Sequence, residues 1–307
     1  MTDQRRGFLS GVGAYALWGL FPLYWPLLEP ASPLEIIAHR IVWSLLFVAA
    51  IVWVRRRMST VREALLDRRT RLALGVCSLV ITVNWFLFIW AVNNHHVVET
   101  SLGYYINPLV TVLLGVFVLG ERLRRLQWAA IAVAAAGVLW LTIEYGRLPW
   151  IAIVLALSFG TYGLAKKKAN VGTAQSLAIE TMVLAPLALG YLLVLQVGGG
   201  GTFLDNGVGH IALLVGSGVA TALPLLCFGA AATRIPLSMI GMLQYLTPTL
   251  QFLIGVLLYH EPMTSQRWIG FALVWSALAL FTAESLSNRR RRRQQTEPAS
   301  ESEAAVV

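Results

Sequence analysis

Residues Gly103–Trp128, GYYINPLVTVLLGVFVLGERLRRLQW, form an apolar run opened by Asn107-Pro108 and closed by Gly120-Glu121. The run recurs 140 residues later without a gap. Tyr105 meets Tyr245, Pro108 meets Pro248, Gly115 meets Gly255, Glu121 meets Glu261 and Trp128 meets Trp268. On the same offset upstream, Phe88 faces Phe228, Ala91 faces Ala231 and Arg40 falls opposite Glu180. The chain therefore reads as two copies of one unit, and self-similarity of this kind decides the fold before any local pattern does.

The composition sets the solvent. A soluble domain is about 45–50% apolar and about a quarter charged, whereas this chain of 307 residues is 57% hydrophobic and 13% charged. Its mean hydropathy is +0.68. The excess of 24 Lys and Arg over 15 Asp and Glu would ordinarily suggest a nucleic-acid or anionic-surface partner. Here the basic residues lie between apolar runs, so they read as topology signals and no nucleic-acid partner is expected. Cys77 and Cys227 lie inside apolar spans at unmatched repeat positions, which predicts two buried thiols and neither a disulfide nor a metal pair.

About 18 or more apolar residues can cross the roughly 30 Å hydrocarbon layer as a helix. Ten such runs can be drawn: Phe8–Leu28, Leu34–Trp53, Leu72–Val92, Ser101–Leu119, Leu126–Ile143, Leu148–Ala165, Ala174–Leu195, His210–Thr233, Leu237–Tyr259 and Arg267–Ala283. The first has no small-residue cleavage site and is long enough to span, so it reads as retained. Residues 7–145 make the first five-helix repeat and 146–286 the second. Residues 287–307, with Arg289–Arg293 and a Ser/Glu/Gln end, read as a disordered basic tail.

Threading the spans from a cytoplasmic amino terminus puts 21 Lys and Arg on one side and only Arg147 and Arg267 on the other. Basic residues are retained in the cytoplasm, so both termini are cytoplasmic. Five spans per repeat is an odd number, which inverts the second copy relative to the first. Inverted repeats are a common architecture of secondary transporters, with the site near the midplane between the halves.

The chain also resembles a known family. Each repeat has a Pro-containing fourth span, a Gly-Glu or His-Glu turn and a fifth span opened by Trp, a pattern similar to the EamA branch of the drug/metabolite transporter superfamily. Gly13-Ala14-Tyr15 with Trp18-Gly19, Ser32-Pro33-Leu34-Glu35-Ile36, Ala38-His39-Arg40-Ile41-Val42-Trp43-Ser44, Asn84-Trp85 and Ser101–Pro108 resemble one subfamily of that branch. The match runs from about Gly7 to Leu286. It implies a ten-helix inner-membrane permease for a small molecule, with a cavity built from the first, third and fourth spans and their repeat mates. It leaves the substrate open.

Ionisable groups inside spans are costly and mark candidate sites. Arg40 and Glu180 each lie about six residues into their span, from opposite surfaces, which separates them by roughly 12 Å in depth. Each therefore needs its own partner. Arg40 is read as a recognition or gating charge, or as a snorkelling side chain; Glu180 is read as a proton-coupling carboxylate, or as a packed hydrogen-bonded one.

The matched prolines in Asn107-Pro108 and Thr247-Pro248 free carbonyls one turn back and are expected to interrupt two helices beside a cavity. Tyr104, Tyr105, Asn107, Gln244, Tyr245 and Gln251 cluster around these breaks as candidate substrate contacts. Trp18-Gly19 in the first span and Phe159-Gly160 with Tyr162 in the sixth read as cavity wall or close packing. In the third span Asn84-Trp85 is the polar step, with Thr221 and Pro224 as its counterpart in the eighth.

Glu121 and Glu261 are expected to cap the helix that follows each of them. His95 and Glu99 have one-turn spacing but lack a third metal ligand, so an interfacial loop is expected there and no metal. No phosphate loop, His-Glu-x-x-His or Gly-x-Ser-x-Gly motif is present, and no cofactor is expected. The sequence thus predicts a secondary transporter of the inner membrane, with lipids and a small solute as partners and protons as a candidate coupling ion. The alternative from another class is an intramembrane enzyme using Glu180 or His39 as acid and base.

Overall fold

The computed structural model describes residues 3–56, 58–120, 123–169, 173–235 and 237–304, and among these every regular element is helical. The helices in chain order are α1 (Asp3–Gly19), α2 (Phe21–Tyr24), α3 (Pro33–Val54), α4 (Met58–Leu66), α5 (Arg68–Asn93), α6 (Val97–Leu119) and α7 (Arg125–Tyr145). They continue with α8 (Trp150–Ala169), α9 (Thr173–Val197), α10 (Gly207–Ala232), α11 (Leu237–Leu243), α12 (Leu246–Leu253) and α13 (Ser265–Ala304). A 3₁₀ turn, Trp25–Leu28, follows α2, and a π-turn, Ile254–Leu258, follows α12.

The sequence sets most helix starts locally. Ser32 accepts a hydrogen bond from the Glu35 backbone N–H and precedes Pro33, a residue whose fixed φ suits the first helical position. Asp67 caps α5 by accepting from the Thr70 N–H at 2.9 Å. Helices α3 and α9 start 140 residues apart, as do α6 and α11, and α7 and α13. That is the offset of the sequence repeat.

Among the described residues six helices are long and apolar enough to cross a membrane: 33–54, 70–93, 97–118, 125–145, 175–197 and 207–231. Two shorter apolar helical stretches occupy 150–165 and 246–258. The predicted first span is divided at Leu20 into α1, α2 and the 3₁₀ turn, because Pro22 and Pro26 cannot supply the backbone donors a continuous helix needs. The last helix runs through Arg289–Arg293 to Ala304, over the residues the sequence predicts as a disordered tail.

The two prolines at matched positions behave differently. Pro108 lies within a continuous α6, so the break expected there is absent. Its repeat mate is broken into α11, α12 and the π-turn. The interruption falls at Gln244-Tyr245, one turn before Pro248, where the missing proline N–H leaves a carbonyl unclaimed.

The helices gather into two compact units that are not the two sequence halves; each takes corresponding pieces of both. In the unit formed by residues 1–114 and 150–262, α1 packs on α10 as α8 packs on α5, and α3 packs on α9. Repeat mates α3 and α9 run antiparallel. The start of α3 meets the residues just beyond α9, Thr202 donating its N–H to Glu35 at 2.7 Å. At the other end Val48 and Val52 of α3 share an apolar cluster with Leu177, Ala178 and Ile179 near the start of α9. The short helix α4, whose Val61 enters that cluster, was not anticipated as an element.

Turns within this unit sort into two groups. One holds Glu35 with Thr202, Glu99 with Ile151, Glu261 with Val97 and Val98, and Tyr259 with Pro22. The other joins Asp3 to Arg234 and α4 to α9. Glycine permits the closest helix approach: a Cβ on Gly218 would sit 2.5 Å from the Trp43 backbone carbon, so α10 and α3 touch main chain to main chain.

In the unit formed by residues 115–149 and 263–307, the repeat mates α7 and α13 are likewise antiparallel. Arg124 at the start of α7 pairs with Glu284 midway along α13 at 2.9 Å. Trp140 late in α7 donates to the Gln266 carbonyl at the start of α13, also at 2.9 Å. Helix α7 ends at Gly146, whose φ of 62° is the left-handed conformation that glycine adopts without strain.

Candidate functional site

The site grows from the crossing of α3, α5, α6, α8, α9 and α10. Arg40, only 3% exposed, lies mid-helix on α3. Its Nε donates to Thr221 Oγ1 on α10 at 2.6 Å. Its guanidinium carbon lies 4.0 Å from the centre of the Trp85 ring, 5.0 Å from Trp25 and 5.7 Å from Phe21. The expected snorkelling to an aqueous end does not occur.

The energies of this arrangement nearly cancel. Removing an ion from water costs several kcal/mol. One hydrogen bond from a charged donor contributes about 1.5–3 kcal/mol, and a desolvated cation–π contact about 2 kcal/mol. Ring faces stabilise the charge but do not satisfy the Nη N–H edges, which meet no acceptor among the described residues. Trp25, fully buried, also leaves its indole N–H without an acceptor.

Asn84, 1% exposed, fixes the next layer. Its amide donates to the Leu155 carbonyl at 3.0 Å and to Ser158 Oγ at 2.9 Å, tying α5 to α8. Its Oδ1 receives the Tyr104 hydroxyl at 3.4 Å. From Tyr104 a train of edge-on and tilted rings leads through Phe159 to Tyr162, with centroid spacings of 6.2 Å at both steps. Tyr162 then donates to Glu180 Oε2 at 3.1 Å, and Ser176 donates to Oε1 at 2.5 Å. Glu180 is 2% exposed. Arg40 and Glu180 therefore have separate partner sets, and from Glu180 a line of aromatic side chains leads through Tyr162 and Phe159 to Tyr104.

The remaining candidates form a second group. Trp18 packs against Tyr15 and Phe228, and its carbonyl accepts from Gln251 Nε2 at 3.3 Å. Thr247 donates to the Tyr15 carbonyl at 2.7 Å, and Tyr105 shares a hydrogen with Thr249 at 2.9 Å. Tyr245 sits half-buried at the break between α11 and α12. Asn107 and Gln244 are half-buried and uncommitted: Asn107 Oδ1 meets only Thr111 Oγ1 at 3.5 Å, and the Gln244 side chain makes no hydrogen bond among the described residues.

Several polar groups were missed or misassigned from sequence. Glu35 Oε1 accepts from both Thr202 N–H and Thr202 Oγ1, which also contacts His210 Nε2 at 2.8 Å. His39 stacks on Phe203 at 4.6 Å and accepts from Trp43 Nε1 at 3.2 Å. Glu261 does not cap α13, which follows it. It accepts from the Val97 and Val98 N–H groups at 2.5 and 2.9 Å, and so caps α6. Glu121 lies outside the described residues. Glu99 accepts from the Ile151 N–H at 3.2 Å at the start of α8, while His96 stacks on Trp90 and His95 meets Tyr259 edge-on. Cys77 is buried, Cys227 is half-buried, and neither forms a disulfide.

The model of the EamA-like transporter family matches residues 5–143 and again 148–283. Protein RarD of Streptomyces exfoliatus is 53% identical over 97% of this chain and 95% of its own length. The uncharacterized transporter YojE of Bacillus subtilis is 44% identical over 94% of this chain and 97% of its own. Protein RarD of Escherichia coli is 42% identical over 94% of this chain and 98% of its own. A solved crystal structure superposes with a TM-score of 0.60 over 90% of this chain and 97% of that one, at 21% identity, a likeness of fold alone. The chain belongs to the EamA-like transporter family, in the group that carries the name RarD.

Proposed function

We propose that this protein is a secondary transporter that moves a small organic solute across the bacterial inner membrane by alternating access. Ten spans, grouped as two inverted five-helix repeats, would carry the motion, with both termini in the cytoplasm. The observation that carries the reading is the antiparallel pairing of repeat mates, α3 with α9 and α7 with α13. Helices that are equivalent in sequence and opposite in direction are what inverted repeats require. The charges of Arg40 and Glu180, each buried in apolar helices, support a solute path in place of a packed core. Glu180 is proposed to exchange the coupling proton, because both its oxygens are held by hydroxyl groups that can stay in place while it gains or loses one. Transporter names among the relatives support the same class.

Reconstitution into proteoliposomes and a screen of solute uptake, with and without a pH gradient, tests this reading. Uptake that responds to the gradient is expected. Turnover of a substrate by the purified protein without any compartment would instead establish an enzyme.

A further inference from the structure

Among the described residues, none offers an acceptor to the polar edge of Arg40. The side chain is a permanent cation, 3% exposed, with one hydrogen bond to Thr221 and the faces of Trp85, Trp25 and Phe21 around it. An aromatic face stabilises positive charge but leaves a guanidinium's in-plane donors available, and those donors match the two oxygens of a carboxylate or phosphate. Trp25 adds a second buried donor without an acceptor, on a ring 5.0 Å from the same guanidinium carbon. Two unmet donor groups and no carboxylate partner for Arg40 among the described residues describe a site short of one acceptor-rich anion. The rings around it suit a flat apolar body attached to that anion.

We infer that the solute carries an anionic head, a carboxylate or a phosphate, which docks on the Nη edge of Arg40 while its apolar part lies against Trp85. The inference rests on the transporter reading for its context but not for its chemistry. Thr221 holds the Arg40 Nε and so fixes the side on which the Nη edge is presented.

The test uses the full chain in lipid nanodiscs and four probes of one shape: benzoate, phenyl phosphate, benzamide and benzylamine. Thermal stabilisation should saturate with benzoate or phenyl phosphate at concentrations at least 10-fold lower than with benzamide or benzylamine. Arg40→Gln should erase the difference between benzoate and benzamide, and Arg40→Lys should keep a weaker preference. Trp25→Phe, which removes only the indole donor, should weaken benzoate about 3-fold and leave benzamide unchanged; this variant decides the matter if Arg40→Gln does not fold. Equal stabilisation by all four probes, stabilisation by none, or unaltered benzoate binding in folded Arg40→Gln overturns the anion site. Counterflow of labelled benzoate in liposomes separates the two ideas. Binding without counterflow keeps the anion site and rejects the transporter, whereas benzylamine counterflow undiminished in Arg40→Gln does the reverse.

Discussion

Positions 40 and 180 are the same place in two copies of one fold, and the protein has made opposite uses of them. Arg40 carries a charge among ring faces with a single hydrogen bond, whereas Glu180 has a hydroxyl on each oxygen. The first is stabilised without being saturated; the second is held at both oxygens. The scaffold is duplicated and the chemistry is not. In the proposed transporter, a symmetric frame would let the two halves exchange roles in motion, and the residues at the equivalent points would decide what is bound and what is coupled.

The comparison breaks first if the halves are not inverted, since then 40 and 180 would lie at one depth. A cysteine at Asp205 should be labelled by an impermeant thiol reagent from outside, and one at Lys167 should not, an all-or-none difference in intact cells. The reverse pattern removes the orientation. Next in size is Glu180→Gln, which keeps both hydroxyl neighbours but cannot lose a proton. Accumulation driven by a pH gradient should fall to the level of simple exchange, while exchange itself persists. Undiminished accumulation would leave Glu180 a packing residue.

The third variant, Thr221→Val, takes away the only side-chain hydrogen bond that Arg40 makes among the described residues. Loss of about 1.5–3 kcal/mol of a charge-assisted bond should weaken benzoate binding roughly 10-fold or more, with benzamide little changed. The smallest effects belong to Asn107→Ala and Gln244→Ala. Each is expected to lower solute affinity about 2–10-fold, the range of one neutral hydrogen bond, with folded yield near that of the parent protein by size-exclusion chromatography. Loss of folded protein in both would mark them as packing elements.

Much of this frame is legible in the chain. The 140-residue offset foretold the matched starts of α3 and α9, of α6 and α11, and of α7 and α13, because repeated caps and apolar runs act locally. Arg40 and Glu180 stood out for the same reason: a charge within an apolar span needs no alignment to be seen. What surrounds them was not visible. Trp25 and Phe21 reach Arg40 only because Pro22 and Pro26 end the first helix early and turn the chain across α3. Thr202 meets Glu35 across 167 positions of sequence, and no periodicity records such a contact. The capping role of Glu261 was read correctly in kind and wrongly in place, since a carboxylate that favours a helix start does not say which of two nearby starts it will take. Pro108 shows the limit of reading a break from one residue, because neighbouring helices decide whether a freed carbonyl bends the chain.

The contrast between the continuous α6 and its jointed counterpart bears on timing. A rod and a jointed rod of equal length do not bend for equal work. In a carrier with two gates, the half of the cycle that flexes at Gln244-Tyr245 and the π-turn crosses a lower barrier than the half that must bend α6. Such a machine would take its two conformational steps at unequal speeds, while the energies of the end states, and not the barrier, set where it rests. It still has no preferred direction of net flow, because a barrier raises or lowers both senses of the same step alike. Direction belongs to the gradients, and the joint sets only how quickly each is answered.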